Sequence, residues 1–416
     1  MPEIIQTNVC IVGAGPGGAL ASLALSKLGI EHVILDKATF PRDKICGDAC
    51  SGKVVEALKK IDPSLVDKII KKSEIQLPSW GVKFIAPNRK ELRAPFKPNY
   101  KINSDTPPGF ISKRLDFDNF LVEELKNHRE ALFIDDYEVS EYTKDDKGWN
   151  ISGITNSAII KSKILLIADG AHSQFTKKIA KHEIDKEHHA AGLRAYYENV
   201  EGMDEENFIE LHFIKSLLPG YFWIFPLPNG GCNVGLGIRS DIVGKKKLNL
   251  KKELQAIIEN DPVISKRFKN ARLVDKVYGW GLPLGSIKRK LSGGGYMLLG
   301  DAASLIDPFT GEGIGNAMLS GYIAADVCKL AIEGNNYSEE FMIQYDEKIY
   351  KRFWSEFNLS RQLQQLSMKK WLFNFVINRA VSNKTLSETI SCMFTDLDIR
   401  EQFRKPSFYI KMLFNR

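Results

Sequence analysis

Apolar and polar positions divide this chain into stretches of different period. Thr7 to Val12 closes on the unbroken apolar run Val9-Cys10-Ile11-Val12, which predicts a strand buried on both faces. An Ala- and Leu-rich stretch over 16–28 predicts a helix, and Glu31 to Asp36 a second strand. Together they form a βαβ unit of about 30 residues, the size of a mononucleotide-binding half. Residues 37–52 carry Pro41, Gly47 and Gly52 and predict a loop, with a helix following from Lys53. The Pro-, Trp-, Phe- and Lys-rich stretch 74–110 predicts strands and loops of a different unit.

A helical period returns over 116–127, and 158–167 ends in a buried strand followed by Asp169-Gly170. Between 190 and 282 the pattern is strand-like, with a strong helix only near 250–259. That predicts an antiparallel sheet interrupting the α/β unit. A short apolar strand, 296–299, runs into Gly300-Asp301. A helix rich in small residues fills 313–330, and the tail beyond reads as helical.

Composition narrows this little. At 416 residues the chain is expected to hold two domains and perhaps an appendage. No apolar run is long enough to span a membrane. Val9 to Ile34 does not read as a leader peptide, because it lacks a basic start and contains Gly13, Gly15, Gly17 and Gly18. The six cysteines are therefore expected to be thiols in a reducing, cytoplasmic compartment. The net charge of +7 is concentrated in the tail, where residues 341–416 carry 13 Lys/Arg against 7 Asp/Glu. With Trp354, Trp371, Phe373, Phe375, Phe403, Phe408, Tyr409 and Phe414, this segment reads as a helical appendage with a solvated basic face, or as a surface for anionic lipid headgroups at a membrane or for a phosphorylated substrate. No nucleic-acid motif accompanies the charge.

The chemistry lies in two glycine-rich turns. Gly13-Ala14-Gly15-Pro16-Gly17-Gly18 fits G-x-G-x-x-G between a predicted strand and helix, the context that gives this string meaning. Gly13 permits the turn, Gly15 lets a pyrophosphate approach the backbone, and Gly18 lets the helix pack close. Asp36 ends the second strand, 23 residues past Gly13, where a carboxylate accepts from a ribose hydroxyl; Lys37 follows it. In the second turn a strand ends in Gly300-Asp301, and Gly311, Gly313 and Ile314 open a long helix. Asp301 can bond a polyol hydroxyl. The amides from Gly311 to Gly315 can face an anion or an electron-rich ring edge.

Gly300-Asp301 resembles the GD motif of the para-hydroxybenzoate-hydroxylase-like flavoproteins, where the Asp holds the FAD ribitol. Pro41-Arg42-Asp43-Lys44-Ile45-Cys46-Gly47-Asp48 resembles the P-x-x-K-x-C-G-G/D loop of the geranylgeranyl reductase family, which lies beside the flavin. Tyr221-Phe222-Trp223-Ile224-Phe225-Pro226 is similar to that family's Y-x-W-x-F-P motif, and Arg114 to Asp118 to its R-x-x-F-D segment. The resemblance covers about 5–330. It implies FAD as cofactor, with NAD(P)H or another donor as reductant. It implies Lys44 and Arg114 near the cofactor, Cys46 as the residue implicated in turnover, and Tyr221, Trp223 and Phe225 lining the substrate cavity. Asp169-Gly170 begins a DG motif (DGxxSxxR), but Thr176 stands at its Arg position, which leaves the reductant open.

The fold expected is α+β: a Rossmann-like FAD-binding domain of the GR2/PHBH type (1–75, 100–185 and 275–335), an inserted antiparallel-sheet substrate domain (76–99 and 186–274), and a helical C-terminal region (336–416). The activity expected is reduction of carbon–carbon double bonds in an isoprenoid or other long apolar substrate, by hydride from reduced flavin. The proton would come from water or Cys46. A flavin monooxygenase or halogenase acting with O₂ on an aromatic substrate is the alternative. A compact aromatic acid would need a buried Arg or several hydroxyls, which the Tyr221–Pro226 motif does not supply. Cys46 and Cys50 are separated by three residues, against four in the disulfide-reducing flavoenzymes, and no metal-ligand spacing is present.

Overall fold

The computed structural model describes residues 3–97 and 99–383. Strand Ile4–Val12 sits inside an eight-stranded sheet, between Ile159–Ile167 and His32–Leu35. The order continues outward to Tyr296–Leu298 on one side and Ala131–Ile134 on the other, all pairing parallel. Hairpin Val139–Asp145/Gly148–Gly153 attaches antiparallel to the end of Ile159–Ile167. Val9 to Val12 are buried because helices cover this sheet, which is why the run is apolar without alternation.

Helix Pro16–Lys27 packs along helix Ile314–Glu333. Both faces are built from small residues, and a side chain on Gly321 would run into the carbonyl of Gly17. Helix Gly52–Ile61 starts one residue before the expected Lys53, where the Ser51 hydroxyl accepts the Lys53 amide.

The second sheet also has eight strands. Its spine runs His189–Glu198, Gly231–Arg239, Tyr221–Pro226, Ile209–His212, then Gly81–Ile85 and Glu91–Pro95. Tyr278–Pro283 and Arg272–Leu273 pair with the far edge of His189–Glu198. The expected antiparallel order holds except at one junction, where Ile209–His212 pairs parallel to Gly81–Ile85. These two strands are joined through a long excursion into the first sheet, so no tight hairpin forces them antiparallel. The helix expected near 250–259 is Leu250–Asn260, and short helices Ser240–Lys246 and Ile264–Arg267 flank it. A small third sheet, Ala49–Cys50, Gly109–Ile111 and Leu77–Ser79, lies on neither large sheet.

Helices Glu339–Ser367 and Lys370–Ser382 realise the helical tail; 384–416, with Phe403, Phe408, Tyr409 and Phe414, lie outside the described residues. None of the described helices is long and apolar enough to cross a membrane.

Candidate active site

One cavity opens between the two large sheets, and both glycine-rich turns reach it. At the first turn Gly13 holds φ +101°, and its amide donates to Leu35 O at 2.7 Å. A side chain there would strike the Ala168 carbonyl, and one on Gly18 would strike that of Gly13. Gly15 differs: a Cβ there would meet nothing closer than the Arg42 and Arg114 guanidinium groups, at 3.6 and 3.8 Å. The space above Gly15 is thus open and bounded by two cations. Gly15 caps helix Pro16–Lys27 with no side chain and no acidic residue in the first turn. Free amides, a positive helix end and two guanidiniums suit a diphosphate.

Asp36 is buried, and its carboxylate accepts Ala14 N (2.8 Å) and Ala38 N (2.9 Å). Lys37 beside it is exposed. Arg114 is buried and held bidentate by Asp118, at 2.6 Å for each bond, and Arg42 also reaches Asp118, at 2.7 Å.

At the second turn Gly300 holds φ +54°, and a Cβ there would stand 2.6 Å from that of Ala317. Asp301 reaches the cavity and pairs with Lys44 at 3.1 Å. The long helix begins after Gly313, so the Ile314 end presents amides that no intrahelical carbonyl can reach. Three other amides of this turn are not free, contrary to expectation: Glu312 N donates to Thr310 Oγ1 at 3.2 Å. Gly311 N donates to Asp307 O, and Gly315 N donates to Glu312 Oε1 at 2.7 Å. The loop carries its own acceptors, so the amides left for an anion are fewer than the Gly311–Gly315 stretch suggested. Asp169 stands exposed at the end of its strand, with Gly170 at φ +85°. Thr176, in place of an Arg, donates its hydroxyl to Ala302 O at 3.0 Å.

The facing wall is strand Tyr221–Pro226. The alternation puts Tyr221, Trp223 and Phe225 toward the cavity, with ring centroids 6.3 and 6.0 Å apart, while Phe222 and Ile224 join the core behind. The wall's polar atoms are already engaged. The Trp223 indole donates to Asn233 Oδ1 (2.9 Å), and Tyr221 OH donates to Thr310 O (2.5 Å). Gly235 leaves the room that the indole fills.

Asn233, fully buried, was not singled out by the sequence. Its amide nitrogen donates to Cys46 O and to Asp48 Oδ2, both at 2.8 Å, tying the Pro41–Asp48 loop to the wall. Asp48, at φ +68°, also accepts Tyr196 OH at 2.7 Å; burial pushes its carboxyl up to about 6. Cys46 lines the cavity half-buried, and burial raises its thiol, with Arg114 opposing. The five cysteines among the described residues are free, so Cys46 and Cys50 form no disulfide; Cys392 lies outside the described residues.

A buried arginine that the sequence did not single out, Arg194, also lines the cavity. Arg194 is 2% exposed, lines the cavity and stacks on the Tyr196 ring at 4.1 Å. It comes from strand His189–Glu198, not from the aromatic motif, and its charge is committed to Asp43 at 2.5 Å.

The FAD binding domain family matches residues 6–354. A digeranylgeranylglycerophospholipid reductase of Methanococcus vannielii is 30% identical over 370 residues, covering 86% of this chain and 87% of the relative. A geranylgeranyl bacteriochlorophyll reductase-like protein of Thermoplasma acidophilum shares the fold, with a TM-score of 0.80 and 24% identity over 96% of this chain and 99% of that one. A flavin-dependent brominase also shares it, at a TM-score of 0.76 and 20% identity over 96% and 97% of the two chains. The present chain belongs to the FAD binding domain family, within it to the geranylgeranyl reductase group, and is an FAD-dependent oxidoreductase.

Proposed function

We propose that this enzyme reduces carbon–carbon double bonds in an isoprenoid chain, the substrate class in its relative's name. The observation that carries this reading is the aromatic wall. Its hydroxyl and indole hydrogens are spent on Thr310 and Asn233, so it offers a substrate ring faces and hydrocarbon only. Such a surface holds an apolar chain by shape and excludes water. When bound, FAD supplies the two electrons as hydride.

The adenosine diphosphate half would lie against Gly13, Gly15, Gly18 and Asp36, with Lys37 and Asp169 at its margin. The flavin half would lie against Lys44, Arg114, Gly300, Asp301, Gly311, Gly313 and Ile314. Cys46 would contact the substrate where the loop meets the wall. In this reading the first sheet and its helices form the FAD-binding domain and the second sheet the substrate domain.

Monooxygenation or halogenation of an aromatic substrate is the second reading. The buried Arg194 lines the cavity and favours it, a substrate phenolate or carboxylate taking the place of Asp43 at the guanidinium. Incubating reduced enzyme with prenyl and aromatic compounds, with and without O₂, separates the two. Gain of two hydrogens supports the reductase; gain of oxygen or halogen overturns it. Following flavin bleaching with NADH, NADPH and dithionite in turn identifies competent reductants.

A lipid substrate must reach the cavity from a membrane. Helix Lys370–Ser382 packs Phe373 against Phe213 (4.6 Å), in the same apolar cluster as Trp223 and Phe225, and turns Trp371, 71% exposed, and Phe375 outward beside Lys370 and Arg379. We propose that this face rests on an anionic lipid surface. Flotation with anionic but not neutral vesicles, lost in Trp371→Glu, is the expected result.

A further inference from the structure

Among the described residues three arginines line the cavity: Arg114, Arg194 and Arg239. Two of them have a filled guanidinium edge. Arg114 gives Nε and Nη2 to Asp118, at 2.6 Å each, and Arg239 gives the same two nitrogens to Asp241, at 2.6 and 2.8 Å. Such an edge matches two oxygens of one anion. Arg194 uses only half of its own. Its Nη2 donates to Asp43 Oδ2 at 2.5 Å and lies 3.5 Å from Lys44 O, while Nε is buried and meets no acceptor among the described residues. An unmet donor on a buried charge is costly, and an incoming oxyanion relieves it.

Packing fixes this cation and leaves its counter-ion loose. The guanidinium lies over the Tyr196 ring at 4.1 Å, with the Tyr278 ring at 5.5 Å, and Tyr196 is held by its hydroxyl bond to Asp48. Arg194 is 2% exposed, whereas the Asp43 side chain is 45% exposed. Lys113 stands 5.1 Å from the Tyr196 ring and adds a second positive charge at this end. Asp48, the other carboxyl here, is taken up by Tyr196 and Asn233.

The register of the second sheet places Arg194 at the head of the apolar wall. Arg194 lies opposite Gly235, Gly235 opposite Trp223, and Trp223 opposite Leu211. Three strand spacings, roughly 14 Å, separate the first from the last. Gly235 has no side chain and the Trp223 indole fills its room, so in this row the indole is the next surface after the guanidinium. Leu211, Ile209 and Phe96 then continue the apolar lining. A charge at one end and hydrocarbon beyond it fit an amphiphile with an anionic head.

We propose that Arg194 holds the head group of the substrate, taking a phosphate oxyanion on its Nε–Nη2 edge while the prenyl chain runs across Trp223 toward Leu211. This rests on the double-bond reductase reading and narrows its substrate to prenyl phosphate esters. The oxyanion replaces Asp43 at Nη2 and gives Nε its acceptor, and the Asp43 carboxylate turns to water. Asp43 is then a resident counter-ion that keeps the buried guanidinium paired while the cavity is empty of substrate. A neutral head cannot displace it and so gains nothing from this end.

Binding to the oxidised holoenzyme, whose flavin seat is filled, is read from flavin absorbance. The probes are farnesyl diphosphate and a prenyl-ether glycerophospholipid, each beside its phosphate-free alcohol. Wild type should hold the phosphate-headed member of each pair about 10- to 100-fold tighter, the worth of hydrogen bonds to a charged group. Arg194→Gln should bring that ratio near 1. Arg194→Lys, a point charge without the planar edge, should restore part of it, and Asp43→Asn, which removes the competing anion, should raise it. A larger ratio in either pair supports the proposal and tells a free prenyl diphosphate from a membrane lipid. A wild-type ratio near 1 in both pairs, or one that Arg194→Gln leaves unchanged, would overturn it. So would Arg194-dependent binding of a phenol or aromatic carboxylate with no preference among the prenyl heads. If Arg194→Gln fails to fold, Asp43→Asn decides, and an unchanged ratio overturns the proposal. Reduced enzyme that no prenyl compound reoxidises without O₂ would overturn the reductase reading instead, since the binding ratios are measured on oxidised flavin.

Discussion

Asn233→Ala is the substitution whose cost can be worked most directly from the geometry. The side chain makes three hydrogen bonds in a fully buried position: from the Trp223 indole at 2.9 Å, and to Cys46 O and Asp48 Oδ2 at 2.8 Å each. Alanine leaves the indole N–H and the Cys46 carbonyl without those partners, while Asp48 keeps Tyr196. A buried polar group stranded this way costs ~1–3 kcal/mol, so two strandings and one weakened acceptor come to ~3–5 kcal/mol. The assay is urea unfolding of flavin-stripped protein, with an unchanged slope required before midpoints are compared. The same change frees the Lys44–Asp48 loop from the wall, so KM for a long prenyl substrate should rise as well. A stability loss below about 1 kcal/mol with an unaltered KM would refute the reasoning, because a group that orders both loop and wall cannot be silent in both measurements.

Asp301→Ala removes the partner of Lys44 and the expected ribitol acceptor, and flavin affinity should fall about 10-fold or more (~1.4 kcal/mol) by fluorescence titration; unchanged affinity would dislodge Asp301 from the site. Asp48 is raised to about 6 from an unfolded value near 3.8, chiefly by burial. Its contribution is therefore fully present below 3.8 and lost as pH rises through about 6. Asp48→Asn should accordingly gain on wild type by up to ~3 kcal/mol between pH 4 and 7, and parallel pH–stability curves would contradict this. Trp223→Ala should weaken binding of long prenyl chains more than short ones, since each buried CH₂ is worth roughly 0.8 kcal/mol; equal losses across a homologous series would remove the wall from the substrate's path.

What could be read along the chain was what repeats with a local period. Val9 to Val12 announce a strand covered on both faces, and Tyr221, Trp223 and Phe225 share a side because a strand alternates. The glycine turns were legible because a missing side chain at a fixed spacing has few other uses. Asn233 left a fainter trace. Along Gly231–Arg239, Cys232, Val234 and Leu236 are buried in one core, and Asn233, Gly235 and Gly237 occupy the other face. A polar residue among glycines on a buried strand marks a place where something large and polar-tipped must fit, here the Trp223 indole. Arg194 and the Lys53–Glu356 pair left none, since pairings across 151 and 303 residues obey no local period.

The Pro41–Asp48 loop explains why two sheets with separate cores can make one site. Lys44 reaches back to Asp301 beside the second glycine turn, while Asp43 reaches Arg194 on the other sheet. The Cys46 carbonyl and the Asp48 carboxylate then bind Asn233, and a side chain on Gly47 would crowd Phe225 at 3.1 Å. Eight residues thus reach the second glycine turn at one end and the aromatic wall at the other, and the wall is tied to that turn directly as well, where Tyr221 OH donates to Thr310 O. Exchanging residues on the wall alone should alter how tightly a chain is held, whereas loosening Asp43, Lys44 or Asp48 should alter which chains fit at all.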